Sequence, residues 1–270
     1  MERIGRHYYA KLKNLSVDEL TAEMEKQMID YEAAKEAEMT EEQKEKAASY
    51  YQKVIEPDTV EVRKMEKNQL WREFLQAYKR LYRIDFITDE QVTENLAPIF
   101  YYFLQDERFF KCKALSDITD PSFEKGLLIV GGYGNGKSSV MNALRHVLIP
   151  YSNTYAFRNM NDVVTDYELC HEPEDKSTFW SMITRGKCLF DDVKTERAAS
   201  NYGKLNIFKD VLEKRYLNKN VTHITCNFRE GSNSVSDSLE EFGEKYGSRV
   251  YDRLFEMFNV IEFKGKSMRK

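Results

Sequence analysis

The run Gly131-Gly132-Tyr133-Gly134-Asn135-Gly136-Lys137-Ser138 has the spacing G-x-x-x-x-G-K-[ST]. It lies between an apolar stretch, Leu127 to Val130, and a helical pattern carrying Val140, Met141, Leu144, Val147 and Leu148. A strand, a glycine-rich turn and a helix in that order make an anion cradle. The glycines let successive N–H groups curl toward phosphate oxygens, and the helix adds the positive end of its dipole. Lys137 would reach the β- and γ-phosphates of a nucleoside triphosphate, the Ser138 hydroxyl would ligand Mg²⁺, and Ser139 continues the cradle.

Such a site needs a carboxylate at the end of a neighbouring buried strand, and Cys188-Leu189-Phe190-Asp191-Asp192 supplies two. Asp191 is the expected metal-side acid. Asp192 stands where a base for an attacking water would be placed, with Glu196 a rival. Asp is one methylene shorter than the Glu many ATPases carry there. Asn227, closing the β-branched run Val221 to Cys226, could position that water or sense the γ-phosphate; a plain turn residue is the alternative. Arg249 and Arg253, four apart on one helical face, are candidates for an arginine offered to a neighbouring subunit's γ-phosphate. Helix-surface ion pairs with Asp252 or Glu256 are the alternative.

Other signals exclude functions. Asn218-Lys219-Asn220-Val221 begins like a guanine-reading N-K-x-D but has Val221 in place of the acid, which disfavours GTP. His171-Glu172 lacks the second histidine of a zinc helix. The four cysteines form no C-x-x-C pair, and Cys188 and Cys226 read as small apolar residues on adjacent strands. A formal net charge of -4 announces no global basic field, so DNA contact would need a local strip such as Lys204, Lys209, Lys214, Arg215, Lys219 and Arg229. No secretory signal and no run of about 20 apolar residues is visible, which leads to the expectation of a cytoplasmic protein without a membrane partner.

The elements that must position these groups follow from periodicity. Short apolar runs at 126–130, 154–158, 187–190, 221–226 and 260–263 alternate with amphipathic helices, predicting a five-stranded parallel sheet covered on both faces. Upstream, residues 16–82 read as three helices, two of them opened by capping-box spacings, Ser16 with Glu19 and Thr40 with Gln43. The stripe Leu70, Trp71, Phe74, Leu75, Tyr78, Leu81 and Tyr82 must pack on a core or dock a partner. Thr88 with Gln91 predicts a further helix, kinked at Pro98. The expected division is an all-α N-terminal partner-docking region, 1–85, and an α/β ATPase domain, 86–270.

With the glycine-rich loop, the acid pair, Asn227 and the Arg249 region in this order, the chain resembles the AAA+ ATPases of the DnaC/DnaI-type replicative helicase loaders and the IstB-type transposition helpers. The resemblance covers roughly 89–270. It is carried most specifically by Asp191-Asp192-Val193-Lys194-Thr195-Glu196, Asn201-Tyr202-Gly203, Leu212 to Tyr216, Thr222 to Asn227, Tyr246 to Arg253 and the tail from Phe263 to Arg269. It implies ATP and Mg²⁺ as cofactors, Asn227 as sensor 1, Arg249 as the arginine finger joining subunits, and Arg269 as a candidate sensor 2. It also implies a replicative DNA helicase and single-stranded DNA as partners, since in loaders the region before this core docks the helicase. Lys194 departs from the pattern, because related sequences often carry glycine there. About seven residues follow the last predicted strand, too few for a C-terminal helical lid, and loaders are similar in lacking one.

Three other readings remain open at this point. A transposition helper would share the fold. A small-molecule kinase would need acceptor-binding arginines and a closing lid, and neither is evident. A nucleotide-gated adaptor that scarcely hydrolyses ATP is made plausible by aspartate at position 192.

Overall fold

Residues buried on both sides of a sheet read as short apolar and β-branched runs, and four of the five strands of this chain are buried in that way, the fifth, Ala156–Asn159, being half-buried. The computed structural model describes residues 65–151, 153–200 and 205–267. The strands are β1 (Gly126–Gly131), β2 (Ala156–Asn159), β3 (Cys188–Val193), β4 (Thr222–Asn227) and β5 (Phe258–Phe263), all parallel, in the order β2-β3-β4-β1-β5. All five expected strands are present, each within a few residues of its predicted limits.

Because successive strand residues point to opposite faces, the sheet divides its apolar side chains between two cores. Leu127, Ile129, Leu189, Ile261 and Phe263 face one core, with helices α1 (Lys67–Tyr82), α2 (Glu90–Leu104) and α3 (Lys137–Leu148) over them. Leu128, Val130, Phe190, Ile224, Cys226 and Val260 face the other. That core is covered by α4 (Met160–Glu168), α5 (Pro173–Thr184), α6 (Ile207–Leu217), α7 (Val235–Tyr246) and α8 (Ser248–Met257).

The compact unit holding the described residues begins at Arg63, upstream of the expected division at 85/86. The aromatic stripe explains the position of α1. Leu70, Phe74, Ala77 and Tyr78 recur on one face and are buried beside Val140, Met141 and Leu144 of α3. Each fully buried large side chain of this stripe contributes about 1.5–3 kcal/mol, so the stripe is spent on the core over the sheet. The capping boxes at Ser16 and Thr40 lie outside the described residues.

The start of α2 differs from expectation by one residue. Asp89, not Thr88, is the cap, its carboxylate accepting the Val92 N–H at 2.7 Å. Asn95 on α2 then ties this helix to the chain leaving β5, donating to Lys264 O at 2.6 Å and accepting the Lys264 N–H at 3.0 Å. Pro98 lies inside α2 and is buried.

Candidate active site

The glycine-rich loop is built where β1 ends and α3 begins, and two of its glycines have backbone reasons. A Cβ at Gly131 would stand 2.3 Å from Phe263 O, and Gly136 has φ 97, left-handed space that suits glycine. Asn135, between them, is 1% exposed and donates to Phe263 O at 2.8 Å, pinning the loop to the end of β5. Its side chain therefore holds the cradle from inside, whereas Tyr133 is 68% exposed at the rim.

Lys137, 4% exposed, folds back over the loop. Its amine donates to Gly132 O at 2.7 Å, Gly131 O at 3.0 Å, Asn227 Oδ1 at 3.1 Å and Asn135 Oδ1 at 3.2 Å. Asn227 is the partner of Gly131 in the β1–β4 register, which is why its amide reaches this lysine. A loop lysine and a strand-end amide 90 positions apart thus meet in one cleft.

The acid pair sits in a bulge. Phe190 pairs with Ile224 and Val193 with Cys226, so Asp191 and Asp192 together oppose Thr225. The Thr225 hydroxyl donates to Asp191 Oδ1 and accepts the Asp192 N–H at 3.2 Å. Asp192 takes φ 55, which turns its side chain toward the cleft instead of back along the strand. Burial pushes the Asp191 carboxyl above the usual aspartate range, and nearby Asp192 pushes the same way; hydrogen bonds from Thr225 and Ser138 and the charge of Lys137 pull it back. A carboxylate made uncomfortable by burial, beside a serine hydroxyl, is a pair of hard oxygens that a small dication would relieve. The residues present therefore fit Mg²⁺. Among the described residues no group of three or more His, Cys, Asp or Glu could hold a metal ion, so phosphate oxygens would have to complete the shell.

These groups line one cleft of 800 Å³. Gly134 to Ser139, Asp191, Asp192, Thr195 and Asn227 give it a polar floor; Tyr78, Tyr82, Phe86 and Phe157 give it an apolar wall. Tyr82 anchors that wall to the loop helix, donating to Ser139 O at 3.4 Å and accepting from the Asn142 amide at 3.2 Å. The sequence pattern missed Thr225 and Tyr82. Thr225 had a usable signal, its place two residues before Asn227 on the strand beside the acids.

The remaining candidates lie elsewhere. Glu196 does not line the cleft: its Oε1 accepts from Tyr246 Oη at 2.6 Å and pairs with Lys245 at 3.1 Å, while Oε2 is buried without a hydrogen-bond partner. Arg249 is exposed in the first turn of α8 and makes no ion pair among the described residues. Arg253 is engaged, 3.6 Å from Glu213 and stacked 4.5 Å over the Tyr216 ring. Arg269 lies outside the described residues, as does Lys204. Arg215 leaves the proposed basic strip altogether. It is 0% exposed and donates to Ile183 O at 3.0 Å, Gly186 O at 2.6 Å, Val221 O at 2.8 Å and Thr222 Oγ1 at 2.8 Å, stitching α5, α6 and β4 together. No helix among the described residues is long and apolar enough to cross a membrane.

No sequence-family model matches the chain, and no curated protein matches it. Solved structures do. The chain is similar to the DnaC helicase loader, at 18% identity and a TM-score of 0.51 over 71% of this chain and 98% of that one. It is also similar to DnaI, at 18% identity and a TM-score of 0.45 over 73% and 93%. A third similarity is to AMPPCP-bound DnaA from Aquifex aeolicus, at 16% identity and a TM-score of 0.42 over 66% and 48%. The five-stranded parallel sheet between its two helical layers is thus the fold of the DnaC helicase loader.

Proposed function

We propose that this chain is a Mg²⁺-dependent ATPase of DNA replication that loads or remodels a replicative helicase on single-stranded DNA. The observation that carries this reading is the convergence of Lys137, Ser138, Asp191 and Asn227 on one cleft. Lys137 already sits on four oxygens, so an incoming phosphate has only to replace carbonyl and amide acceptors with its own more strongly charged ones. Mg²⁺, held by Ser138 and Asp191, would neutralise phosphate charge as the terminal bond breaks. Asp192 faces the cleft from the bulge and would orient the attacking water, taking its proton, while Asn227 senses the terminal phosphate. The wall of Tyr78, Tyr82 and Phe86 offers a flat base something to pack against.

The exposed Arg249 side chain supports self-association: with no ion pair among the described residues it can be offered to a neighbour's triphosphate, whereas Arg253 is held between Glu213 and the Tyr216 ring. The helicase enters through the similarity in fold to the DnaC helicase loader, and single-stranded DNA and helicase docking by the N-terminal region enter through the sequence resemblance to loaders. The test is an affinity capture of full-length protein with ATP and with ADP, alongside ATP turnover measured with and without small-molecule acceptors. A hexameric helicase retained in a nucleotide-dependent way supports the reading; phosphate passed only to a small-molecule acceptor would replace it with a kinase.

A further inference from the structure

Lys194 has φ 81, a left-handed conformation that is strained for a residue with a side chain. Strain of that kind persists where surrounding contacts over-determine it, and here they do. The Lys194 amine pairs with Glu241 and lies 5.5 Å from the Phe242 ring centre. The Lys194 N–H donates to Tyr246 Oη at 3.1 Å, Tyr246 Oη donates to Glu196 at 2.6 Å, and the Lys245 amine donates to Lys194 O and to Glu196 O, the latter at 3.1 Å. Every partner on the far side belongs to the last two turns of α7.

The two ends of this clasp are what give it meaning. On one side, residues 192–196 continue directly from the acid pair, and both Asp192 and Thr195 line the cleft. On the other, Tyr246 closes α7; Gly247, at φ 94, donates back to Gly243 O at 2.8 Å and turns the chain into α8. Arg249 stands three positions beyond Tyr246. The polar contacts bridging loop and helix leave little freedom for one to move without the other.

The geometry points to Lys194 and Tyr246 as positioning residues that lock the acid loop of one nucleotide cleft to the mount of Arg249, so that the state of a subunit's own cleft sets how it presents Arg249 to its neighbour. This rests on the shared-site reading above and adds to it a physical link between the two sites a subunit touches. Neither residue contacts the cleft itself; both act through the backbone of 192–196 and the end of α7.

Mixed assemblies test it. An acceptor carrying Arg249→Ala keeps its own cleft, and a donor carrying Asp192→Asn keeps its arginine and a cleft that still fills with Mg-ATP but does not hydrolyse it, so hydrolysis in the mixture reports Arg249 acting across the interface. Tyr246→Phe or Lys194→Gly is then added to one component at a time. Lys194→Gly suits the left-handed backbone and guards against a fold failure, and unfolding temperatures are measured for every component. The inference predicts that either change in the donor lowers kcat of the mixture about tenfold or more, the scale of a misplaced catalytic group, with the acceptor's KM for ATP unchanged. Loss confined to changes in the acceptor, or no loss from the donor, overturns the inference while leaving the shared site intact. No activity in the unsubstituted mixture overturns the shared-site reading, and this inference with it.

Discussion

The hydroxyl of Thr225 is hydrogen-bonded both to the Asp191 carboxylate and to the backbone N–H of Asp192. One side chain on β4 therefore sets the geometry of both acids on β3, at the bulge where two residues face one. Replacing Thr225 by the isosteric valine removes a hydrogen bond to a charged group, a loss of about 1.5–3 kcal/mol, while leaving the packing volume. Thr225→Val is expected to lower kcat about tenfold or more and to lower the unfolding temperature by several degrees, measured by phosphate release and thermal melts.

Asp191 makes a prediction with a definite pH sign. Burial raises its folded pKa above the ordinary aspartate value, so its contribution to stability is fully present below pH 3.8 and is lost as pH rises through the folded value. At pH 7 without nucleotide, Asp191→Asn is therefore expected to melt at or above the wild-type temperature, and the difference is expected to shrink in acid. With Mg²⁺ and ATP the order reverses, because only the carboxylate gains from the dication. Melting curves at several pH values, with and without Mg-ATP, read this out.

Arg249 and Arg253 are expected to separate cleanly. Arg249→Ala should leave ATP binding and stability alone and reduce hydrolysis by the assembled protein about a thousandfold, the usual scale for such an arginine. Arg253→Ala loses the Glu213 pair and the Tyr216 stack, costing about 1 kcal/mol of stability with hydrolysis retained. Comparing kcat with unfolding free energy distinguishes the two.

Arg215→Leu should be a folding defect and nothing else. It removes the four hydrogen bonds of a buried guanidinium and leaves Ile183 O without that donor, a cost of at least about 3 kcal/mol. Denaturant unfolding should record that loss. A variant that keeps its stability but loses DNA binding would return Arg215 to the basic strip.

The sequence made the cradle legible because its glycines, Lys137 and Ser138 act through fixed local spacing, and it made the four buried strands legible because burial on both faces leaves apolar and β-branched runs. It could not say which of two arginines four apart is exposed, since Arg253 packs against Glu213 and Tyr216 on a helix more than thirty residues upstream. For the same reason Arg215 passed for a surface cation and Glu196 for a base. A helical stripe states that an apolar face needs a partner without naming it, so Leu70 and Phe74 could be assigned to α3 only once the fold was in hand. Lys194 looked like a local disturbance; its left-handed backbone keeps the loop a glycine could form, and the side chain is spent on Glu241.

The measurement that bears most directly on the central claim is calorimetric titration of the full-length protein with a slowly hydrolysed ATP analogue, with and without Mg²⁺, beside Lys137→Ala and Asp191→Asn. The account predicts saturable one-to-one binding by wild type that Mg²⁺ tightens, loss of most affinity in Lys137→Ala, and loss of the Mg²⁺ dependence alone in Asp191→Asn. Wild-type affinity indifferent to Mg²⁺, or binding that survives both substitutions unchanged, would contradict it.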